Sequence, residues 1–197
     1  AVVAASAFVA AGGAGAARLG PQGGPFCDSP ARVEGPTSPT RAELNAEAHA
    51  LAAQTRAQGG VLVATGGCFD LLHPGHVHTL QAARGLGDRL VVCLNGDASV
   101  RRLKGPARPL VGEEDRAAVL RALGCVDAVL VFDEDTPSAA LEHLRPHVWA
   151  KGGDYTAHEL PEAATLAGWG GQAVILPFVD GRSTTRLIEE ASAGGVA

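Results

Sequence analysis

Two histidines, His73 and His76, lie three positions apart where an apolar run gives way to a helical pattern. The run Val61–Ala64 is followed closely by the glycines Gly66 and Gly67. A strand that ends in glycines and leads into a helix exposes backbone N–H groups beside the positive end of the helix dipole, which favours phosphate. Because residues three apart share one side of a helical turn, both imidazoles are expected to face a single pocket. The spacing therefore predicts an anion site that contains two imidazoles.

Charged and glycine-rich segments follow three other predicted strands. They are Asn95-Gly96-Asp97 with Val100–Pro109, Lys151–Tyr155, and Asp180–Arg186. Since the carboxyl ends of parallel strands meet at one edge of a sheet, these segments are expected to gather there, with no such turns at the opposite edge. Lys151 stands out because the chain has only two lysines. Lys104 taken alone also fits a solvated surface lysine, and Arg116 fits an ordinary helix salt-bridge partner.

The segment Ser183-Thr184-Thr185 follows a glycine and precedes a helical pattern. Hydroxyl groups and free N–H groups at a helix start can bind phosphate oxygens. An ordinary serine N-cap is the other interpretation of these residues. The presence of the two histidines elsewhere in the chain favours phosphate binding.

Apolar runs alternate with helix-length segments from Val61 onward, which predicts an α/β fold with a doubly wound parallel five-stranded sheet. The predicted strands are Val61–Thr65, Arg89–Leu94, Ala128–Phe132, Val148–Ala150 and Ala173–Leu176. The predicted helices lie near 75–86, 113–123, 137–144 and 159–168, and a last one begins around Ser183 or Thr184. Because the strands are continuously apolar, both faces of the sheet are expected to be buried.

Three segments are expected along the chain. Residues 1–40 are rich in alanine, glycine and proline and are predicted to be a poorly ordered linker or the remnant of another domain. Residues 41–60 form a helix, capped by Ser38 or Thr40, that leads into the domain. Residues 61–197 form the domain itself. The chain contains no methionine, so we expect a fragment of a longer protein or a chain that has lost its initiating residue.

Composition restricts the partners. A formal net charge of −5 provides no basic surface for nucleic acid, so no nucleic-acid partner is expected. No apolar run approaches the roughly 18 residues that span a membrane, so no membrane association is expected. The four cysteines are widely spaced and form no zinc motif, which is typical of a reducing compartment and predicts a cytoplasmic location. No metal site formed by protein side chains is expected.

The segment Gly67–His76, with the sequence GCFDLLHPGH, resembles the G-x-F-D-x-x-H-x-G-H loop of cytidylyltransferase-like nucleotidyltransferases. Within that superfamily the chain is most similar to D-glycero-β-D-manno-heptose 1-phosphate adenylyltransferase. The segments that carry the second resemblance are VRRLKGPARP at Val100–Pro109, DEDTP at Asp133–Pro137, KGGDY at Lys151–Tyr155 and DGRSTT at Asp180–Thr185. Arg182 departs from the pattern, because relatives often have a smaller residue there.

The resemblance implies a Rossmann-like nucleotidyltransferase fold and a reaction between ATP and a sugar 1-phosphate. The sugar phosphate would attack the α-phosphorus in line, giving an ADP-sugar and pyrophosphate, with no enzyme nucleophile. Mg²⁺ is implied as the counter-ion of the triphosphate. The resemblance also implies a homodimer and a link to a sugar kinase domain, because bifunctional relatives join the two activities and residues 1–40 are similar to the tail of such a kinase.

The resemblance also assigns residues to roles. The implied catalytic residues are His73, His76 and Lys104. The implied nucleotide and phosphate contacts are Gly66, Gly67, Cys68, Phe69, Gly75, Arg182, Ser183, Thr184 and Thr185. The implied substrate contacts are Asp70, Asp97, Arg108, Arg116, Lys151 and Asp154, where Asp70 would contact the acceptor sugar or order the histidines. Cys68 is given no catalytic role.

Other functions remain open from the sequence. A cytidylyltransferase acting on an alcohol phosphate such as glycerol 3-phosphate would share the first motif but prefer CTP. A non-catalytic nucleotide-binding domain would bind nucleotide without releasing pyrophosphate. A class I aminoacyl-tRNA synthetase is disfavoured by the short chain, and a dinucleotide-binding Rossmann domain is disfavoured because no G-x-G-x-x-G follows the first strand.

Overall fold

The computed structural model describes residues 38–153, 160–177, 184 and 188. Within them, a five-stranded parallel sheet in the order β3-β2-β1-β4-β5 is flanked by six helices. The strands are β1 Leu62–Gly67, β2 Arg89–Asn95, β3 Ala128–Phe132, β4 Val148–Gly152 and β5 Gln172–Leu176. The helices are α1 Arg41–Ala57, α2 Pro74–Arg84, α3 Asp97–Lys104, α4 Glu113–Arg121, α5 Ser138–Leu144 and α6 Glu162–Ala167. The predicted five-stranded parallel α/β fold is confirmed.

The core forms on both faces of this sheet, as continuous apolar strands require. Successive side chains of β1 point to opposite faces, so Leu62 and Ala64 join one buried cluster and Val63 joins the other. The first cluster packs beneath α1, α5 and α6, and it includes the fully buried Trp149. The second packs beneath α2 and α4 through residues such as Leu80. The result is a sheet between two layers of helices.

Helix α1 begins with a capping box, in which the Thr40 hydroxyl accepts a hydrogen bond from the Glu43 N–H and the Glu43 carboxylate accepts one from the Thr40 N–H. The helix covers the edge strand β3. The side-chain amide of Asn45 donates to the Val131 carbonyl at 2.9 Å and accepts from the Val131 N–H at 2.8 Å. These two bonds replace a neighbouring strand and protect the edge.

Residues 97–104 form helix α3, although the charged and glycine-flanked sequence there predicts a turn. The first and last turns complement the helix dipole, with Asp97 near the start and Lys104 near the end. Two residues of the helix, Ser99 and Val100, are buried. The helix is hard to predict because it is short and only these two of its residues are buried.

The expectation that the opposite edge would lack charged turns is wrong. At the amino ends of the strands, Asp88 accepts a hydrogen bond from the Val61 N–H at 2.7 Å, and Asp127 accepts one from the Leu90 N–H at 2.8 Å. His147 Nδ1 accepts a hydrogen bond from the N–H of Leu62, the first residue of β1. These side chains complete the backbone hydrogen bonding of the strand starts.

The sheet order reverses beside β1, because the chain passes from β1 to β2 on one side and later returns to place β4 on the other. In doubly wound sheets the ligand crevice opens at the carboxyl ends of the two strands that flank such a reversal. Here those ends are Gly66 and Gly67 of β1 and Lys151 and Gly152 of β4. In the described part of the chain, no helix has the length and apolar character needed to cross a membrane.

Candidate active site

The glycines at the end of β1 permit close packing that a side chain would prevent. A Cβ atom on Gly66 would lie 2.6 Å from the ring of Trp149, and one on Gly67 would lie 3.2 Å from the ring of Phe69. Gly75, in the first turn of α2, is buried. The glycines therefore bring the turn against two aromatic rings and fix its path.

Phe69 follows these glycines with a left-handed backbone conformation, φ +45°. This conformation is strained for a bulky residue and is retained only where the surroundings enforce it. The side chain of Phe69 is buried, and its ring centroid lies 5.2 Å from that of His76. The strained residue therefore supports one of the two histidines.

The two histidines lie side by side at the start of α2. Their rings are stacked with centroids 3.9 Å apart, and the His76 N–H donates to the His73 carbonyl at 2.9 Å. Burial, together with the charges of His73 and Lys104, lowers the pKa of His76 to about 4, against a hydrogen bond to the Leu71 backbone that raises it. Near neutral pH His76 is therefore an uncharged imidazole that can donate one N–H hydrogen bond.

Thr184 lies on the same side of the sheet as the histidines. Its hydroxyl donates to the Leu71 carbonyl at 3.3 Å, and the same Leu71 backbone acts on the pKa of His76. Thr184 and Ile188 both have helical backbone conformation. The remaining residues predicted around this motif, together with one from the KGGDY segment, lie outside the described residues: Arg182, Ser183, Thr185 and Asp154.

Three cations surround the glycine turn. Burial raises the pKa of the Cys68 thiol above its ordinary value, while the charges of Lys104, Arg116 and Arg108 act in the opposite direction. Because the net shift of this pKa is upward, Cys68 stays a neutral thiol, which is a weaker nucleophile than a thiolate. The three opposing charges show that Lys104 and the two arginines lie within electrostatic reach of the turn.

Asp70 holds the loop that carries Arg108. Its carboxylate accepts from Arg108 Nε at 2.5 Å and from the N–H groups of Leu110 and Val111 at 2.8 and 3.0 Å. Burial alone would raise the pKa of Asp70, but these hydrogen bonds hold it below its ordinary value, so the group is ionised. The carboxylate therefore faces the loop, while Arg108 Nη2 is buried with no hydrogen-bond partner among the described residues.

Arg116 and Asp97 are paired with each other. Arg116 Nη2 donates to Asp97 Oδ1 at 2.7 Å, and the arginine side chain has no exposed surface. Asp97 is partly exposed and also lies 3.8 Å from Arg101. The guanidinium that was predicted to contact a substrate therefore faces the protein, whereas Asp97 retains some surface toward solvent.

Lys151 lies at the carboxyl end of β4, beside the end of β1. Its ammonium group is 3.2 Å from the carboxylate of Glu162, a buried residue that begins α6. Sequence reasoning missed Glu162, because an acidic residue in the first turn of a helix is ordinarily explained by the helix dipole. Its second oxygen, Oε2, is buried and has no hydrogen-bond partner in the part of the chain that the structure describes.

No set of three or more histidine, cysteine or acidic side chains in residues 38–153, 160–177, 184 and 188 is arranged to hold a metal ion. The cysteines in these ranges, Cys68, Cys93 and Cys125, are free thiols. The carboxylates of Asp70 and Asp97 are occupied by arginines.

Comparisons with known proteins point in one direction. A family model described as cytidylyltransferase-like matches residues 64–190. The chain is 56% identical to the bifunctional protein HldE of Streptomyces coelicolor over an alignment of 201 residues. This alignment covers 98% of the chain and 39% of that protein. It is 56% identical over 138 residues, 70% of its length, to the bifunctional protein HldE of Geobacter sulfurreducens, of which it covers 28%. The chain thus spans well under half the length of these curated relatives.

A solved structure resembles the fold. It is the structure of the lipopolysaccharide core biosynthesis protein from Thermoplasma volcanium GSS1. Its sequence is 29% identical to this chain, and the two structures superpose with a TM-score of 0.52. The alignment covers 61% of this chain and 98% of that one. The similarity extends over nearly the whole of the smaller protein.

Proposed function

Because the chain belongs to the cytidylyltransferase-like family, we propose that it transfers AMP from ATP to D-glycero-β-D-manno-heptose 1-phosphate, giving ADP-heptose and pyrophosphate. The choice of this substrate rests on the segments Val100–Pro109, Lys151–Tyr155 and Asp180–Thr185, which resemble heptose 1-phosphate adenylyltransferases. The observation that carries the proposal is the assembly around one turn. His73 and His76 stack there with Lys104 and Arg108 in electrostatic reach, beside the segment that contains Thr184.

The reaction needs positioning and charge stabilisation more than proton transfer. The sugar phosphate is already anionic near neutral pH, so its oxygen can attack the α-phosphorus without a general base. Negative charge then shifts to the departing pyrophosphate. The uncharged His76, with a pKa lowered to about 4, is suited to donate a hydrogen bond to these oxygens rather than to deliver a proton. Removing one such donor costs about 3 kcal/mol of transition-state stabilisation.

Cations are proposed to complete the phosphate site. Arg108 Nη2 is a buried donor that no described residue satisfies, so a phosphate oxygen would satisfy it. Lys104 carries the second charge, close enough to His76 to lower the pKa of that residue. Arg182 with the hydroxyls of Ser183, Thr184 and Thr185 is proposed to hold the outer phosphates, and Mg²⁺ enters with ATP as part of the substrate.

The acceptor sugar is proposed to lie toward the end of β4. Lys151 and Asp154 are assigned to it, together with the exposed part of Asp97. Asp70 is assigned an ordering role, because its carboxylate is occupied by the loop that carries Arg108. The backbone of Gly66 to Phe69 and of Gly75 is proposed to approach the nucleotide phosphates.

The additional domain, the oligomeric state and the cellular location of the natural protein are also proposals. The relatives are more than twice as long as this chain and are named bifunctional, which favours a natural protein that joins the transferase to another domain, proposed to be a sugar kinase. A homodimer and a cytoplasmic location, where ATP is abundant, are proposed with it. Residues 1–40 are then a linker or the end of that other domain.

The test is pyrophosphate release from the purified protein with ATP or CTP and a panel of sugar and alcohol phosphates. The proposal predicts turnover with ATP and heptose 1-phosphate, and its loss in His76→Ala with the fold unchanged by circular dichroism. Preference for CTP and glycerol 3-phosphate would identify a cytidylyltransferase instead. Nucleotide binding without pyrophosphate release would show a non-catalytic domain.

A further inference from the structure

Arg116 is a buried arginine that joins three segments of the chain. Its Nη1 donates to the carbonyls of Cys68 at 2.6 Å and Asn95 at 2.8 Å. Its Nε donates to the Val111 carbonyl at 2.9 Å, and its Nη2 donates to Asp97 at 2.7 Å. The acceptors lie in the turn after β1, in the stretch that runs from the end of β2 into α3, and in the loop just before α4. One rigid guanidinium therefore fixes three chain segments relative to one another.

Each of these segments leads to a group of the proposed site. The turn at Cys68 continues into His73 and His76, and helix α3 ends at Lys104. The loop before α4 carries Arg108. None of the four hydrogen bonds of Arg116 goes to His73, His76, Lys104 or Arg108 themselves, so the arginine sets the relative positions of these groups through the segments that carry them.

Asp70 holds the same loop from its other side. The N–H of Val111 donates to Asp70, and the carbonyl of Val111 accepts from Arg116, so both polar groups of this residue are held by buried charges. Asp70 also holds Arg108. A lysine at position 116 would keep the charge, but its single ammonium group cannot reach four acceptors in a planar fork.

We propose that Arg116 is a positioning residue that sets the distance between the paired histidines and the cations Lys104 and Arg108 without touching the substrate. The proposal rests on the proposed function for its catalytic consequence. Ground-state binding of the nucleotide would survive a small displacement of these segments. The transition state, which needs all of the groups at once, would not.

The kinetic test uses Arg116→Lys with Arg84→Lys as the matched control. Arg84 also ties a carbonyl, that of Gly87, and a carboxylate, that of Asp127, but at the opposite edge of the sheet. For Arg116→Lys we expect kcat for pyrophosphate release to fall at least tenfold while KM for ATP changes less than threefold. Arg84→Lys should keep both values. Equal kcat in the two variants, or a loss confined to KM, would overturn the positioning role.

A second readout needs no turnover and separates this proposal from the proposed function. In an NMR titration, the His76 ring of the wild-type protein and of Arg84→Lys should titrate near its lowered pKa, about 4. In Arg116→Lys the released turn should admit water and raise that pKa by at least half a unit. An unchanged His76 titration in the folded variant would overturn the proposal. If the wild-type protein releases no pyrophosphate but the His76 pKa is raised in Arg116→Lys, only the proposed function is refuted.

Discussion

At the amino ends of the strands, Asp88, Asp127 and His147 accept hydrogen bonds from backbone N–H groups, whereas at the carboxyl ends buried polar atoms lack partners among the described residues. The atoms without partners there include Arg108 Nη2 and Glu162 Oε2. Both edges use charge to complete the fold, as Asp70 and Arg116 do at the carboxyl edge, but that edge also holds these buried atoms, which have no partner in the part of the chain that the structure describes. Charge alone therefore does not identify the site. Buried groups without a protein partner do so more reliably.

The largest asymmetry between the two edges should appear when a histidine is removed from each. His76→Ala is expected to lower kcat for pyrophosphate release by about a hundredfold or more, because it removes a hydrogen-bond donor from the reacting phosphates. His147→Ala removes the acceptor of the Leu62 N–H, so it should lower the free energy of unfolding by about 1 kcal/mol and leave kcat unchanged. Steady-state kinetics and urea denaturation of both variants check this. Comparable kcat values in the two variants would remove the distinction between the edges.

Removing a cation should also affect the rate of pyrophosphate release more at the carboxyl ends of the strands than at their amino ends. Lys104→Met is expected to lower kcat by on the order of tenfold to a hundredfold, because the side chain is proposed to stabilise charge on the phosphates. Arg89→Met removes an exposed cation paired with Asp127 at 3.0 Å and should change the rate by less than twofold. Pyrophosphate release at saturating ATP is the measurement. If Lys104→Met retained wild-type activity, the phosphate role of Lys104 would be ruled out.

The glycines should respond according to the space around them. Gly66→Ala forces a methyl group to within 2.6 Å of the Trp149 ring, so a loss of about 1–3 kcal/mol in unfolding free energy is expected. At about 2–4 °C per kcal/mol, thermal denaturation should resolve this loss. A methyl group on Gly124 would meet no described atom within 4 Å, so Gly124→Ala should leave Tm within about 1 °C. Equal Tm values would mean that the β1 end tolerates a side chain.

The smallest expected effect concerns pH. Burial lowers the pKa of His76 from 6.5 to about 4, so between these pH values the unfolded chain binds more protons at this residue than the folded protein does. The stability contributed by His76 is therefore complete above pH 6.5 and is lost as the pH falls toward 4. Urea denaturation across this pH range should show a shallower slope of stability against pH for His76→Gln than for the wild-type protein. Identical slopes would show that His76 titrates normally.

The sheet could be predicted because its strands are continuously apolar. Ala128–Phe132 agrees with the structure at both ends, whereas β1 and β4 run two residues further than predicted. The added residues of β1 are Gly66 and Gly67, and those of β4 are Lys151 and Gly152. Glycine has a low strand propensity, so neighbouring strands rather than local sequence extend the pairing there.

The site could be predicted only where its residues carry a sequence motif. His73, His76 and Thr184 lie in recognisable segments, and the structure brings these three residues to one side of the sheet. The buried hydrogen bonds of Arg116 have no sequence signal, because two of its acceptors, the carbonyls of Cys68 and Asn95, lie 48 and 21 residues away in the chain. Asp70 was also ambiguous, since only the fold shows that its carboxylate holds the loop containing Arg108.

A crystal structure with an ATP analogue that carries a methylene group between the α- and β-phosphorus atoms would show whether His76 and Thr184 bind one nucleotide. We expect one triphosphate with oxygens in hydrogen-bond contact with the His76 imidazole and the Thr184 hydroxyl together, and with Arg108 Nη2 nearby. A nucleotide bound away from the turn at Gly66–His76, or one that contacts only one of these two side chains, would show that they do not form a single nucleotide site.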